Sequence, residues 1–340
     1  MGGTIRTLIW GAGAIGGTLG GYLARAGADV TLVDTVSEHV AAIGHSGLRV
    51  TGPIDEFTVR IPAFTPATVT GTWDEIILAT KAHHTGGAVR ALLPHRGAGG
   101  YVVSAQNGLN EFEIAAVVGA ERTIGAFVNF GADYLEPGVI HHGGHGAVVV
   151  GEIDGRITPR VVAIREAWYQ FSPRAIVTAN IWGYLWAKEA YGALLFATAL
   201  TNEAIADALA MAAYRPLYVE LAREVLAVAA ARSVVPETFD GFDPGAYLTT
   251  APPGAAEGSL NLLVAHNRRS AKTHSGIWRD LAVRKRPTEV DAQLGIVVTL
   301  GAEAGVPTPL VARLVELIHD VERGARSQSL ETLGALATGL

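Results

Sequence analysis

The sequence has no cysteine in 340 residues, which excludes disulfides, thiolate nucleophiles and Cys-based zinc sites. Charge is scarce: 17% of residues are Asp, Glu, Lys or Arg against 49% hydrophobic. The 26 basic residues are outnumbered by 32 acidic ones, for a net charge of −6. That balance leaves no basic face for a phosphate backbone, so nucleic acid is not an expected partner. Long uninterrupted apolar runs are lacking too. The nearest, residues 181–200, carries Lys188 and Glu189 near its centre; two central charges make membrane spanning costly, and the segment reads as a buried helix. The first apolar run, residues 5–10, enters a glycine turn and reads as a strand, not a signal peptide. Low-complexity tails and internal repeats are absent. The expectation is a cytoplasmic chain of two domains with a large apolar core and no membrane partner.

What is present begins with Gly11-Ala12-Gly13-Ala14-Ile15-Gly16, between the run 5–10 and a helical stretch 17–26. A second apolar run, 29–33, ends in Asp34. The order is strand, glycine turn, helix, strand, acid. The first glycine permits the tight turn, the second lets the backbone approach a pyrophosphate, and the third packs helix on sheet. Free N–H groups at the helix start then face the phosphates. Asp34 lies 18 positions after Gly16, near the ~20 expected of an acid that accepts hydrogen bonds from a ribose. It would repel a 2′-phosphate, and Thr35, Val36, Ser37 and Glu38 supply no cation to attract one. NAD is therefore expected over NADP. The competing reading of Asp34 is a solvent-facing turn residue.

Strand and helix alternate onward: strand 75–80, helix 84–93, strand 101–105 and helix 110–118. This pattern predicts an α/β Rossmann-type domain, a doubly wound parallel sheet with ligands at the strands' carboxyl ends. Lys81 and Asn107 fall just past two such ends. Residues 123–131, 138–142 and 147–152 read as antiparallel hairpins extending the sheet, followed by a helix 157–171 and a last strand 174–178. From there the pattern is helical: 181–200, 214–232, 287–304 and 307–323, with a loop at 239–258. The expected division is a dinucleotide-binding domain, 1–180, and an all-helical substrate and catalytic domain, 181–340.

Lys188 stands among Trp182, Leu185, Trp186, Ala187, Tyr191 and Leu194. Such a lysine either snorkels to solvent or lies in a cleft, where desolvation lowers its pKa toward proton donation at neutral pH. Glu289, after Pro287-Thr288, reads most simply as a first-turn acid that complements a helix dipole. His141, His142 and His145 lie in a Gly-rich hairpin with no carboxylate at ligand spacing, so no metal is expected.

The chain resembles the ketopantoate reductase (2-dehydropantoate 2-reductase) family over nearly its whole length. The resemblance rests on the glycine motif, Thr80-Lys81-Ala82, Gln106-Asn107-Gly108, Pro137-Gly138-Val139 with His142, Leu185-Trp186-Ala187-Lys188 and Arg286-Pro287-Thr288-Glu289-Val290-Asp291. It implies Lys188 as general acid, Glu289 holding or orienting substrate and lysine, and Lys81 and Asn107 lining the nicotinamide end. It also implies a Rossmann domain, a helical domain and a cleft between them. The chain departs from the family after the lysine, where two asparagines are typical four and eight positions on: Gly192 and Phe196 stand there, or Tyr191 and Leu195 after a one-residue slip. Tyr191, Ser275, His274 and Asn267 are the candidate replacements. The expected activity is hydride transfer between a nicotinamide and a 2-oxo or 2-hydroxy acid, in a homodimer. The rival readings are an NAD-dependent dehydrogenase of a branched or polyhydroxylated hydroxy acid, and a catalytically inactive nucleotide-binding regulator.

Overall fold

The computed structural model describes residues 5–269 and 273–339. The chain divides into two compact units, one ending at Ile181 and the other beginning at Trp182. In chain order the first contains β1 (Arg6–Trp10), α1 (Ala14–Arg25), β2 (Asp29–Val33), α2 (Ser37–Ser46), β3 (Leu48–Thr51), β4 (Phe57–Val59), β5 (Ala63–Phe64), β6 (Trp73–Leu78), α3 (Thr85–Leu92), β7 (Arg96–Ser104), α4 (Glu111–Val118), β8 (Thr123–Val128), β9 (Gly131–Glu136), β10 (Val139–Gly144), β11 (Val148–Glu152), α5 (Pro159–Trp168) and β12 (Ile176–Val177).

The main sheet has the order β12-β11-β8-β7-β6-β1-β2-β5. From β8 to β5 every pairing is parallel. These six strands reproduce the 3-2-1-4-5-6 order of a doubly wound sheet, whose switch point lies between β1 and β6. Such strands are covered on both faces, which is why they read as continuous apolar runs. Ile9 and Ile77 belong to the core on one face, and Leu8, Trp10, Ile76 and Leu78 to the core on the other.

The hairpin expectation needs correction. Only β11 extends the main sheet antiparallel, against β8. Residues 138–142 instead join a second sheet, β4-β3-β10-β9, in which β10 runs parallel to β3 and antiparallel to β9. The reason is α1. A Cβ added at Gly16 or Gly20 would meet Ile9 of the main sheet, whereas one at Gly17 or Gly21 would meet Ile140 or Val50 of the second. Two glycine pairs at i, i+4 spacing thus give α1 two flat faces, each packed under a sheet.

Among its described residues the second unit is helical: α6 (Ile181–Thr198), α7 (Ile205–Ala210), α8 (Arg215–Ala231), α9 (Ala255–Arg269), α10 (Gly276–Ala282), α11 (Ile296–Ala304), α12 (Pro309–Glu322) and α13 (Leu330–Leu336). Prolines open α8 and α12 in the first turn, where their missing N–H costs nothing. The helix expected over 287–304 is interrupted. Residues 287–289 are irregular, Asp291–Gly295 forms a π-helical turn, and only then does α11 begin. The expected loop 239–258 is shortened by α9, which starts at Ala255.

Candidate active site

The glycine turn joins β1 to α1 beside the switch point. Gly11 has φ +102°, and a Cβ there would stand 2.8 Å from the backbone of Ala79 and Thr80, at the end of β6. A Cβ at Gly16 would stand 2.0 Å from the Gly11 carbonyl. Gly13, by contrast, has nothing within 4 Å of that position: its open side is a cradle that a side chain would fill. No side chain caps α1, which begins after Gly13, so its first-turn N–H groups are available to an anion. Turn, cradle and uncapped helix fit a dinucleotide pyrophosphate. Ala12, Ala14 and Ile15 complete the turn.

Asp34, half-buried past the end of β2, accepts the Ala12 N–H at 2.9 Å on one oxygen and the Val36 N–H at 2.9 Å on the other. The carboxylate is locked to the glycine turn and keeps a second lone pair on each oxygen. His39 completes the arrangement. It is fully buried; its Nδ1 accepts the Gly138 N–H at 2.9 Å, so Nε2 carries the proton and donates to the Ala12 carbonyl at 2.9 Å. The ring ties the glycine turn to the β9–β10 turn of the second sheet. Its position among the polar residues that open α2 gave no sign of this.

Lys81, half-buried, follows β6, and Asn107, exposed, follows β7. Gln106 connects the two ends: its Nε2 donates to the Thr80 carbonyl at 3.0 Å and to Thr85 Oγ1 at 2.9 Å, and Thr85 donates to Asn110 at 3.0 Å. Asn110 in turn donates to the Asn107 carbonyl at 2.6 Å. Gln106 and Asn110 thereby tie the segments that follow β6 and β7, and the first is visible in the sequence only as part of a motif.

In the helical unit, Lys188 is half-buried on α6 together with Tyr184, Tyr191, Gly192 and Leu195. At 3.6 residues per turn all four lie within roughly 60° of Lys188. Phe196, about 80° round the helix from Lys188, is fully buried, and Leu195, about 20° from it, continues the lysine's half-buried stripe. Gly192, one turn past Lys188, faces Gln293: a Cβ there would stand 3.8 Å from Gln293 Oε1. The Gln293 N–H bonds to the Glu289 carbonyl at 3.0 Å. The fold thus brings the turn after Lys188 against the turn after Glu289, although the two are far apart in sequence.

Glu289 is half-buried and immediately precedes the helical residues 290–304, where its carbonyl accepts the Gln293 N–H. The segment before it is held by Thr288, whose N–H and hydroxyl donate to Glu322 Oε1 at 2.7 and 2.8 Å. Glu322 Oε2 pairs with His319 Nδ1 at 2.8 Å, and His319 Nε2 with Asp291 at 3.0 Å. Burial works against a charge on His319, but the hydrogen bonds to Glu322 and Asp291 outweigh it and raise its pKa. Burial likewise works against ionised Glu322, and the Thr288 and His319 contacts pull its pKa below the ordinary carboxylate value. A charged network therefore anchors the Arg286–Asp291 motif on α12.

The proposed replacement groups have partners of their own. Tyr191 packs against Phe239 and Phe242; burial raises its hydroxyl pKa, opposed by a hydrogen bond to Asn267. Ser275 is buried and caps α10, accepting the Trp278 N–H at 3.1 Å. His142 is a core residue: fully buried beside the Tyr22 hydroxyl at 3.1 Å, it has a pKa pushed down to about 4, chiefly by burial and next by His145.

Comparison with known proteins places these features in one lineage. The family model described as ketopantoate reductase PanE/ApbA matches residues 7–155, and its C-terminal counterpart matches residues 180–322. The chain belongs to the ketopantoate reductase family, whose members are oxidoreductases. A 2-dehydropantoate 2-reductase of Halobacterium salinarum is 28% identical over 322 residues, covering 94% of this chain and 99% of that one. The structure of 2-dehydropantoate 2-reductase from Geobacter metallireducens superposes with a TM-score of 0.78 at 25% identity, covering 95% of this chain and 100% of that one. D-mandelate dehydrogenase, solved with NADH and anilino(oxo)acetate, shares the fold with a TM-score of 0.80 at 22% identity, over 94% of this chain and 99% of that one. As in this family, a Rossmann-type sheet unit precedes a helical unit. No helix among the described residues is long and apolar enough to cross a membrane.

Proposed function

We propose that this ketopantoate reductase family member interconverts a 2-oxo acid and its 2-hydroxy acid with a nicotinamide cofactor, NAD in preference to NADP. In this reading the unit ending at Ile181 holds the dinucleotide and the helical unit supplies the substrate and catalytic residues. The observation that carries it is the packing of Gly192 against Gln293, which sets Lys188 and Glu289 on adjoining turns of different helical elements.

The nicotinamide cofactor would supply the hydride as NADH, or accept it as NAD+ in the reverse direction. The protein's own residues do the rest. The Gly13 cradle and the uncapped start of α1 hold the pyrophosphate, and Asp34, already fixed by Ala12 and Val36, accepts the ribose hydroxyls and repels a 2′-phosphate. Lys81 and Asn107 border the nicotinamide end. Lys188 carries a proton on Nζ and delivers it to the substrate's carbonyl oxygen as charge develops there. Glu289 orients the lysine and substrate, on a segment braced by Thr288 and Glu322. Asn107, Tyr191 and Ser275 contact the substrate.

A second reading keeps the chemistry and changes the substrate. Gly192 offers no side chain and Leu195 no hydrogen bond on the lysine's stripe, so ketopantoate's hydroxyl and carboxylate would lose partners at ~1–3 kcal/mol each. A panel of 2-oxo and 2-hydroxy acids with NADH, NADPH and their oxidised forms decides. NADH should exceed NADPH by at least ~10-fold in kcat/KM, with ketopantoate outperformed by another acid. Equal use of both cofactors would refute the role of Asp34. Ketopantoate reduction above ~10⁴ M⁻¹s⁻¹ would make the family's named activity the function of this chain, and no turnover with any acid would leave a nucleotide-binding regulator.

A further inference from the structure

The helical unit holds a cavity of about 520 Å3 that neither Lys188 nor Glu289 lines. Its walls come from three separated stretches: residues 281–286 at the end of α10, residues 321–328 at the end of α12, and Asn202 after α6. Its volume is in the range of small-molecule sites. Three cations line it, Lys285, Arg286 and Arg323, against one carboxylate, Glu322.

That carboxylate is already engaged. Glu322 Oε1 accepts two hydrogen bonds from Thr288, and Oε2 pairs with His319. Its charge is shared with His319 and offsets the three cations only in part. Two further carboxylates brace the arginines from outside the lining. Asp280 Oδ1 accepts Arg286 Nε and Nη2, both at 2.9 Å, and also Arg284 Nη1 at 2.9 Å. Asp320 accepts Arg323 Nη2 at 2.8 Å and Arg326 at 3.3 Å. Each of these acids serves two arginines, so each group retains a positive charge. Lys285 adds another. It is exposed, has no ion-pair partner among the described residues, and holds φ +50°, a conformation uncommon for a residue with a Cβ. The Ser327 hydroxyl, on the stretch that also supplies Arg323, is a further donor without a partner among the described residues. The cavity therefore presents an excess of positive charge, with its one lining carboxylate already hydrogen-bonded.

We propose that this cavity is a binding site for a small phosphate-bearing ligand, recognised as an oxyanion by Lys285, Arg286, Arg323 and Ser327. Arginines held at fixed angles by a carboxylate suit the fork geometry of phosphate recognition. The cavity is lined by residues of the helical unit alone, whereas the glycine turn belongs to the other unit.

The test is calorimetric titration of inorganic phosphate and of pyrophosphate into the full chain at constant ionic strength, with and without excess NADH to fill the glycine turn. Pyrophosphate should bind with a Kd below ~1 mM, bind more tightly than phosphate, and persist with NADH present. Lys285→Gln combined with Arg323→Gln should weaken it at least ~10-fold; the pair Arg49→Gln and Arg156→Gln, equally exposed in the first unit, should leave it unchanged. Lys285→Gln alone should give an intermediate loss and serves if the double variant does not fold. No binding at ~10 mM, equal affinity in the Lys285 and Arg323 variants, an equal loss in the Arg49 and Arg156 control, or loss of binding on adding NADH would each overturn the proposal.

Discussion

At the scale of single residues, Lys188 and its stripe on α6 carry the sharpest tests. Lys188→Ala should lower kcat by about 10²–10⁴, the usual worth of a general acid. NADH affinity, measured by fluorescence titration, should be nearly unchanged, since the glycine turn belongs to the other unit. Turnover within a few-fold of the parent would make the lysine structural. The two positions where the family carries amides separate cleanly here. Gly192 has only Gln293 Oε1 near its Cβ direction, at 3.8 Å, so Gly192→Asn fits without displacing backbone. Phe196 is fully buried, so Phe196→Asn removes a core ring and buries an amide, costing ~3–5 kcal/mol. Denaturant midpoints should show near-parental stability for the first and a large loss for the second. Gly192→Asn alone should improve ketopantoate turnover if the missing amide limits it.

At the scale of elements, α1 is the piece on which the first unit is organised. Its two glycine pairs accept a sheet on each side, and the His39 ring links its leading turn to the second sheet. His39→Ala would strand the Ala12 carbonyl and the Gly138 N–H, each at ~1–3 kcal/mol when buried. The expected result is a melting temperature several degrees lower together with weaker NADH binding, because Ala12 also donates to Asp34. A loss of stability with cofactor affinity intact would uncouple the second sheet from the nucleotide turn. The π-helical turn is the corresponding feature of the second unit. It places Gln293 opposite Gly192 and follows directly on Glu289, whose carbonyl accepts the Gln293 N–H.

At the scale of the molecule, two buried groups set opposing pH responses. Glu75 is buried beneath the Tyr101 hydroxyl at 3.0 Å and the Thr7 hydroxyl at 3.3 Å, and its pKa is raised to about 7, mainly by burial. The folded state keeps this proton longer than the unfolded chain, so the contribution falls as pH rises from about 4.5 to 7. His142 does the reverse. Its pKa is lowered to about 4, the folded state refuses a proton the unfolded chain accepts, and its contribution is lost as pH falls from about 6.5 to 4. Each window is worth about 3 kcal/mol, so the two largely cancel in the parent. Glu75→Gln should unmask a loss of stability toward acid, and His142→Phe a loss toward neutral pH. Urea midpoints at pH 5 and pH 7.5 check both; parallel pH profiles for parent and variants would refute the assignment.

The glycine turn, the alternation of strands and helices, the acid after β2 and the apolar helix around Lys188 were legible in the chain because each is a local pattern, set by the periodicity and conformational limits of neighbouring residues. Lys188, Glu289, Asp34, Lys81 and Asn107 could be singled out for the same reason, by motif and by position at element ends. Other features depend on residues distant in sequence. The destination of residues 138–142 rested on the second face of α1, and Phe196 was separated from Leu195 by which side of α6 the core covers. His39, Gln106 and Glu322 each act through a partner 20 to 100 positions away. A sequence pattern determines which face of an element is apolar; only packing decides what that face meets, because buried hydrogen bonds and close contacts are satisfied across the fold and not along the chain.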